Sequence, residues 1–273
     1  EVAAMARRLR FAVLAGLLAP AGAIGAPPVA ASWNFDEKPE VRVLADAGPR
    51  GLDLQPGSGA EMVGGRKGNA LRSPNAASRD GQVGAALSGP ALGAAVAAGD
   101  LSPGTRRWTL SAVLRLDASA TSEGVLYELA VHPPGGTTLV FSVAVSPSEN
   151  AFIVRHLGRA SGAALDASAV RVAFPDPGGP PHREAIARTV FLVPGEPLPR
   201  ERWFRAELDF AGGNALNLRI DGSTATAATM TGGAETMPGE FPARLAIGAD
   251  HAGRQPFPGA IDELVVLTDP DER

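Results

Sequence analysis

The stretch GAIDELVVL at residues 259–267 is the last regular segment of the chain, and it follows ARLAIGAD at residues 243–250 after one short loop. Both runs are rich in aliphatic residues and are bounded by Gly, Pro and Asp. This composition is typical of two β-strands joined by a turn. The end of the chain therefore predicts paired β-strands.

Short strand-like runs, separated by turn residues, recur through the rest of the chain. Apolar and polar side chains alternate in WTLSAVLRL at residues 108–116 and in WFRAELDF at residues 203–210, which predicts half-buried strands. Asp221-Gly222, directly after a further run of this kind, is a strong hairpin signal. Residues 74–104 are mostly Ala, Gly and Ser, and we expect loops there with one weak strand. Together with 33 Gly and 24 Pro, the pattern favours an all-β domain with many turns.

The order and spacing of these runs resemble the laminin-G-like group of concanavalin A-like jelly rolls. The resemblance covers five segments, which are residues 33–36, 65–71, 108–116, 203–222 and 245–267. It implies an all-β, two-sheet antiparallel jelly-roll sandwich. It also implies one domain over residues 32–273, because the first and last strands of such a sandwich lie together and a cut between them would leave open sheet edges.

Residues 1–31 have the layout of a secretory signal peptide with a short N-terminal extension. The basic segment MARRLR at 5–10 precedes an apolar run at 11–19, and cleavage is predicted after the small residues at 21–23 or at 29–31. The apolar run is too short to cross a bilayer, which takes about 20 residues. We therefore expect bacterial-type export to the periplasm, the medium or the cell surface, without stable membrane insertion after cleavage. A disordered, Ala-rich leader is the alternative.

The composition excludes several classes of function. The chain has no cysteine, which excludes disulfide scaffolds, thiol catalysis and Cys-ligated zinc. Of the formal net charge of −4, the three arginines and one glutamate of the leader contribute +2, so the remainder carries −6. Nucleic-acid binding needs clustered Lys and Arg, and no basic stripe is present in the sequence. We therefore expect no nucleic-acid partner.

Catalytic machinery is not indicated by the sequence. The nearest match to the paired carboxyl groups of a retaining glycosidase is Glu207 and Asp209. The third acid of the related glucanase motif is missing, and Arg205 lies on the same strand face as an ion partner. The four histidines are dispersed, and no nucleophile elbow or phosphate loop is present. We therefore expect a protein that is not an enzyme, with glycan hydrolysis as an alternative.

A structural calcium ion is implied by the resemblance. In many laminin-G-like domains, an acid of an early loop and the acid of the terminal IDE run share one Ca²⁺, which takes about six to eight oxygen ligands. The corresponding residue here is Asp262, with Asp36 or Asp46 as its partner. The alternative is that Asp262 accepts hydrogen bonds or pairs with an arginine.

The aromatic residues bear on whether the ligand is a sugar. Sugar binding needs exposed aromatic faces beside polar side chains. Trp33, Trp108 and Trp203 stand at strand starts where the resemblance implies burial. Tyr127 is the remaining aromatic residue without such an assignment.

The expected function is non-catalytic binding, with an extracellular or cell-wall carbohydrate as the first hypothesis. The alternative is an adhesive or structural domain that binds a cell-surface protein. We expect the site on the concave sheet and its bordering loops, over residues 146–168 and 175–200. An exposed aromatic side chain on that face favours a glycan, whereas a broad apolar patch without a groove favours a protein.

Overall fold

The computed structural model describes residues 28–38, 40, 42–73, 84–88, 90–104, 106–134, 138–159, 169–174, 183–211, 215–230 and 237–269. Its elements, in chain order, are β1 (Val29–Trp33), β2 (Gln55–Pro56), β3 (Glu61–Gly64), β4 (Asn69–Arg72), β5 (Ala85–Ser88), α1 (Pro90–Ala97), β6 (Trp108–Leu116), β7 (Gly124–Val131), β8 (Leu139–Ser146), β9 (Ala151–Arg159), β10 (Ala169–Phe174), β11 (Arg183–Leu192), β12 (Phe204–Ala211), β13 (Ala215–Ile220), β14 (Ser223–Thr229), β15 (Ala243–Ile247) and β16 (Gly259–Thr268).

The strands form two antiparallel sheets of eight strands each, packed as a jelly-roll sandwich. Sheet A has the order β14-β13-β12-β6-β16-β4-β3, and β1 also pairs with β16. Sheet B has the order β10-β11-β9-β8-β7-β15-β5-β2. The fold class predicted from the sequence is confirmed.

The core lies between the two sheets and is centred on a cluster of aromatic rings. Trp108 of sheet A packs edge to face on Tyr127 and Phe141 of sheet B, with 5.9 and 5.3 Å between ring centroids. Phe210, also of sheet A, lies 5.7 Å from Trp108 in the same kind of arrangement. Edge-to-face contact is favoured because the positive ring edge meets the negative ring face. The cluster therefore joins the two sheets at their centre.

The first and last strands are neighbours, as the resemblance implies. Ala31 lies opposite Val266 and is fully buried, and Trp33 lies opposite Leu264. The predicted domain boundary between residues 31 and 32 therefore falls within β1. Cleavage after Ala23 would preserve this strand, whereas cleavage after Ala31 would remove its first half.

The hairpin predicted at Asp221-Gly222 is confirmed. The two residues have positive φ values of 50° and 82°, which is the left-handed conformation of a type I′ turn. The Asp221 carboxylate accepts the backbone N–H of Arg205 at 2.9 Å. The turn between β13 and β14 is therefore also held by β12, the strand next to β13.

One helix in the described residues, α1, was not expected from the sequence. Pro90 occupies its first position, where the missing N–H costs nothing. Gly99 ends it with a φ of 67°, and the N–H groups of Gly99 and Asp100 donate to the carbonyls of Val96 and Ala95, a Schellman cap. Leu92 and Val96 are fully buried. The Ala- and Gly-rich composition of residues 74–104 hid this helix, while β5 provides the expected weak strand.

The two predicted binding loops contain parts of sheet B. Residues 151–159 of the segment 146–168 are β9, and residues 183–192 of the segment 175–200 are β11. The alternation of apolar and polar residues over 151–159 and 183–192 continues sheet B, so the prediction of loops there was wrong. Residues 160–168 and 175–182 lie outside the described residues.

Across the part of the chain that the structure describes, no helix has both the length and the apolar character that crossing a membrane requires.

Candidate functional site

A groove of about 720 Å³ lies on the outer face of sheet B. Its centre is a row of polar side chains that crosses the strands. Glu128 of β7 lies opposite Ser142 of β8, Ser142 opposite Arg155 of β9, and Arg155 opposite Thr189 of β11. Because side chains alternate along a strand, these four residues share the face away from the aromatic core. The register of four strands thus builds one continuous polar surface.

An apolar cluster, separate from the main core, lies beside this row on the same face of sheet B. Val125, Ala144, Ala151 and Ile153 form their own cluster, each with 1% or less of its surface exposed. Of the four, Val125 also lines the groove, together with the apolar side chains of Val140, Leu157 and Ala187. The result is a groove with an apolar base and polar walls, the usual composition of a small-ligand site.

A bidentate ion pair stands on one side of the groove. The two guanidinium nitrogens of Arg155 donate to the two carboxylate oxygens of Glu123 at 2.6 and 2.7 Å. Two parallel hydrogen bonds of this kind hold both side chains in one orientation. Arg155 is therefore a positioned donor group with further N–H groups left over.

A second pair joins the groove to the loop after β15. Glu128 is 5% exposed and accepts the backbone N–H of His251 at 2.7 Å. The same carboxylate oxygen lies 2.5 Å from Nδ1 of His251. This hydrogen bond, opposed by burial, raises the pKa of His251 above its ordinary value. Glu128 thus holds the loop after β15 in place and favours the protonated form of His251.

A second histidine lies beside the first. The rings of His132 and His251 are 5.7 Å apart between centroids. Burial, followed by the charges of His251 and Arg244, lowers the pKa of His132. The four histidines are dispersed in the sequence, and the fold brings these two together.

The loop at residues 250–254 is shaped by its own aspartate. The Asp250 carboxylate accepts the backbone N–H groups of Ala252 and Arg254 at 3.0 and 2.6 Å. It also lies 3.6 Å from the guanidinium of Arg254. The loop therefore presents His251 to the groove on a fixed backbone.

An exposed aromatic ring adjoins the groove. Phe191 of β11 lies opposite Ile153 of the apolar cluster and two residues beyond Thr189 of the groove, and 51% of its surface is exposed. Val193, two residues further along the chain, is 53% exposed. Phe191 was not singled out from the sequence, because alternation alone does not say which face of β11 meets solvent.

The aromatic residues considered in the sequence are mostly unavailable to a ligand. Trp33 and Trp108 are buried, which confirms the expectation. Trp203 is half-buried, with the guanidinium of Arg115 5.2 Å above its ring. Tyr127 is fully buried and donates its hydroxyl to the carbonyl of Leu101 at 2.5 Å. Tyr127 is therefore a core residue.

Asp262, the first predicted calcium ligand, lies at a β-bulge. The pairing of β16 with β6 shifts between Asp262 and Val265, and Glu263 has a φ of 49°. The bulge places the Asp262 carboxylate over the turn of residues 65–68, where Oδ2 accepts the backbone N–H groups of Arg66 and Lys67 at 2.7 and 3.2 Å. The alternative that Asp262 accepts backbone hydrogen bonds is therefore part of the structure.

The same turn also receives Asp36. Its carboxylate accepts the backbone N–H of Asn69 at 3.3 Å. Burial, and then the charges of Glu263 and Asp36, raise the pKa of Asp262, while the two backbone donors lower it. Asp36 and Asp262 are thus brought to one place.

The Asp46 carboxylate accepts hydrogen bonds from a different set of backbone N–H groups. Oδ1 accepts the N–H groups of Ser32 and Gly48, each at 2.7 Å, and Oδ2 accepts that of Leu52 at 2.8 Å. Asp46 therefore ties its own loop to β1.

The fit of these acids to a calcium ion is partial. Oδ1 of Asp262 is buried without a hydrogen-bond partner, so one oxygen is free to bind a cation. Among the described residues, however, no three His, Asp or Glu side chains gather into a metal-binding group. Most of the ligands of a calcium ion would have to be backbone carbonyls and water.

The carboxyl pair considered for catalysis has other partners. Asp209 is 5% exposed and accepts hydrogen bonds from Arg107 at 2.9 Å and from Thr109 at 2.8 Å. Arg205 pairs with Glu263 at 2.6 Å, not with Glu207. An aspartate held by an arginine and a threonine is anchored, which suits a structural role.

The sequence matches no known protein family and no curated protein. Solved structures share the fold, and two of them serve as examples. The binding domain of Paraclostridial Mosquitocidal Protein 1 is 10% identical, with a TM-score of 0.51 over 89% of this chain and 49% of that chain. The binding domain of Botulinum Neurotoxin serotype G is 10% identical, with a TM-score of 0.50 over 89% of this chain and 48% of that one. The chain therefore spans about half the length of these structures, and the likeness is one of fold.

Proposed function

We propose that the protein is an exported, non-catalytic binding module for an extracellular or cell-wall carbohydrate. The observation that carries this proposal is Phe191, an exposed aromatic ring at the edge of a polar groove on sheet B. An aromatic face covers the apolar side of a sugar ring, and neighbouring polar groups bind its hydroxyls. Export is supported by the basic, apolar and small-residue segments of the leader.

The groove has the size and chemistry for a short run of sugar rings. Its volume of about 720 Å³ is within the usual range of small-ligand sites. Ser142, Arg155 and Thr189 lie in one row across the strands, and Gln255 lines the wall. These groups supply both donors and acceptors, as hydroxyl recognition requires.

A cell-surface protein is the alternative ligand. Phe191 and Val193 are both exposed, and an exposed apolar pair can pack against a protein partner. The polar groove beside them favours a glycan, and the two structures of similar fold are both named as binding domains, which fits either ligand.

A glycan array probed with the protein, followed by titration of variants, tests this function. We expect saturable binding to one sugar class. Phe191→Ala should weaken binding by about tenfold through the loss of ring stacking. Val193→Ala is the matched control, since it removes an equally exposed apolar side chain that cannot stack, and it should bind as the parent protein does. If the folded protein binds no glycan on the array, that result would contradict the proposal and favour a protein ligand.

We further propose one structural Ca²⁺ held by Asp262 and Asp36. The buried, unpartnered Oδ1 of Asp262 supports it. Saturating calcium should then raise the melting temperature by about 5 °C, because a ligand that binds only the folded state stabilises it. Asp262→Asn should abolish this shift and leave the melting temperature indifferent to EDTA. If the parent protein melts at the same temperature in calcium and in EDTA, the proposal of a structural Ca²⁺ is contradicted.

A further inference from the structure

The charged side chains that face the groove come in opposite pairs. Each acid lies against a base, and the pairs are Glu123 with Arg155, Glu128 with His251, and Asp250 with Arg254. The raised pKa of His251 favours the charged partner in the second pair. Among the described residues that line the groove, Arg188 is therefore the one arginine or carboxylate outside such a pair.

Paired charges discriminate against a charged ligand. A carboxylate or sulfate would have to displace Glu123 from the two nitrogens of Arg155, and the displaced carboxylate would lose two charge-assisted hydrogen bonds. An ammonium group would likewise have to compete with His251 for Glu128, which is 5% exposed. Either exchange leaves a charge without its partner, which is costly in a partly buried site.

Arg188, which also borders the groove, does not change this balance. It lies opposite His156, and His156 lies opposite Phe141 of the core. Strand alternation therefore turns the Arg188 side chain towards the interior. It is 1% exposed, and its three guanidinium nitrogens have no hydrogen-bond partner among the described residues. The three nitrogens are buried, so they are not exposed on the surface of the groove.

The same pairs remain good partners for hydroxyl groups. Glu123 occupies one N–H on each of two nitrogens of Arg155, and a guanidinium has five N–H donors. The free lone pairs of the acids and the side chains of Ser142 and Thr189 complete a surface of fixed donors and acceptors. Phe191 adds an apolar ring at the edge.

We infer that the groove selects an uncharged glycan, a chain of neutral hexoses, over its uronic-acid or sulfated counterpart. This inference rests on the proposed carbohydrate-binding function. It names the class of sugar from the charge balance of the groove.

Matched pairs of oligosaccharides test it by calorimetric titration. The probes are pentamers of glucose and glucuronic acid, galactose and galacturonic acid, and mannose and mannuronic acid. One neutral pentamer should bind at least about tenfold more tightly than its acidic partner, with an affinity that does not change between low and high salt. Tighter, salt-sensitive binding of an acidic pentamer would overturn the inference and leave the proposed function standing. Binding of no pentamer, together with a silent glycan array, would overturn both.

A variant that frees one charge provides a second test. Glu123→Gln leaves Arg155 without its carboxylate, and it should raise the affinity for the acidic pentamer by about tenfold. Glu196→Gln, an exposed glutamate outside the groove lining, is the matched control and should change neither affinity. An unchanged preference in Glu123→Gln would show that the ion pairs do not set the selectivity.

Discussion

Trp108→Ala is expected to lower the free energy of unfolding by about 3–5 kcal/mol. The side chain is 1% exposed and touches Tyr127, Phe141 and Phe210 at the centre of the sandwich. Its removal leaves a cavity between the sheets, and three rings lose their edge-to-face partner. Denaturant unfolding followed by circular dichroism measures the difference.

Two variants serve as controls for the loss at Trp108. Trp108→Phe keeps an aromatic ring and removes an indole N–H that has no hydrogen-bond partner, so its cost should be below about 2 kcal/mol. Trp203→Ala removes a half-buried ring that stacks under Arg115, and its cost should be about 1 kcal/mol. Equal losses at Trp108 and Trp203 would contradict the placement of the core.

Asp46→Ala should destabilise the protein by about 2–3 kcal/mol. The carboxylate accepts three backbone N–H groups, from Ser32, Gly48 and Leu52. Charge-assisted bonds of this kind are among the stronger hydrogen bonds of a protein, and here they tie β1 to the following loop. Because none of the three bonds needs a metal, the loss should be the same in calcium and in EDTA.

The variant Asp53→Ala is the control for Asp46→Ala. Asp53 accepts one exposed bond, from the backbone N–H of Asp46 at 2.9 Å, so Asp53→Ala should cost below about 1 kcal/mol. A loss at Asp46 that appears only when calcium is present would instead make it a metal ligand, as the sequence resemblance allowed.

The strands were predictable from the sequence because their side chains alternate locally. The hairpin at Asp221-Gly222 follows from such a local signal, whereas the burial of Trp33 and Trp108 was implied by the resemblance. Tyr127 departs from them for a physical reason. The pairing of β7 with β8 shifts between Val125 and Tyr127, and this bulge turns Tyr127 into the core.

The groove could not be read from the sequence, because it runs across the strands. Glu128, Ser142, Arg155 and Thr189 become neighbours only through the register of four strands, and a one-residue slip would place each on the other face. One local signal was present. Glu128 is the single charged residue of the otherwise apolar strand GVLYELAV. A lone charged residue in such a strand indicates that its side chain lies outside the core and contacts a polar partner.

Hydrogen–deuterium exchange with and without the strongest array glycan tests most directly that the groove is the binding site. We predict slower exchange in β7, β8, β9 and β11 and in the loop at residues 250–255. Exchange in β12, β13 and β14 of sheet A should remain unchanged. Protection confined to sheet A, with sheet B unaffected, would contradict the assignment of the groove as the site.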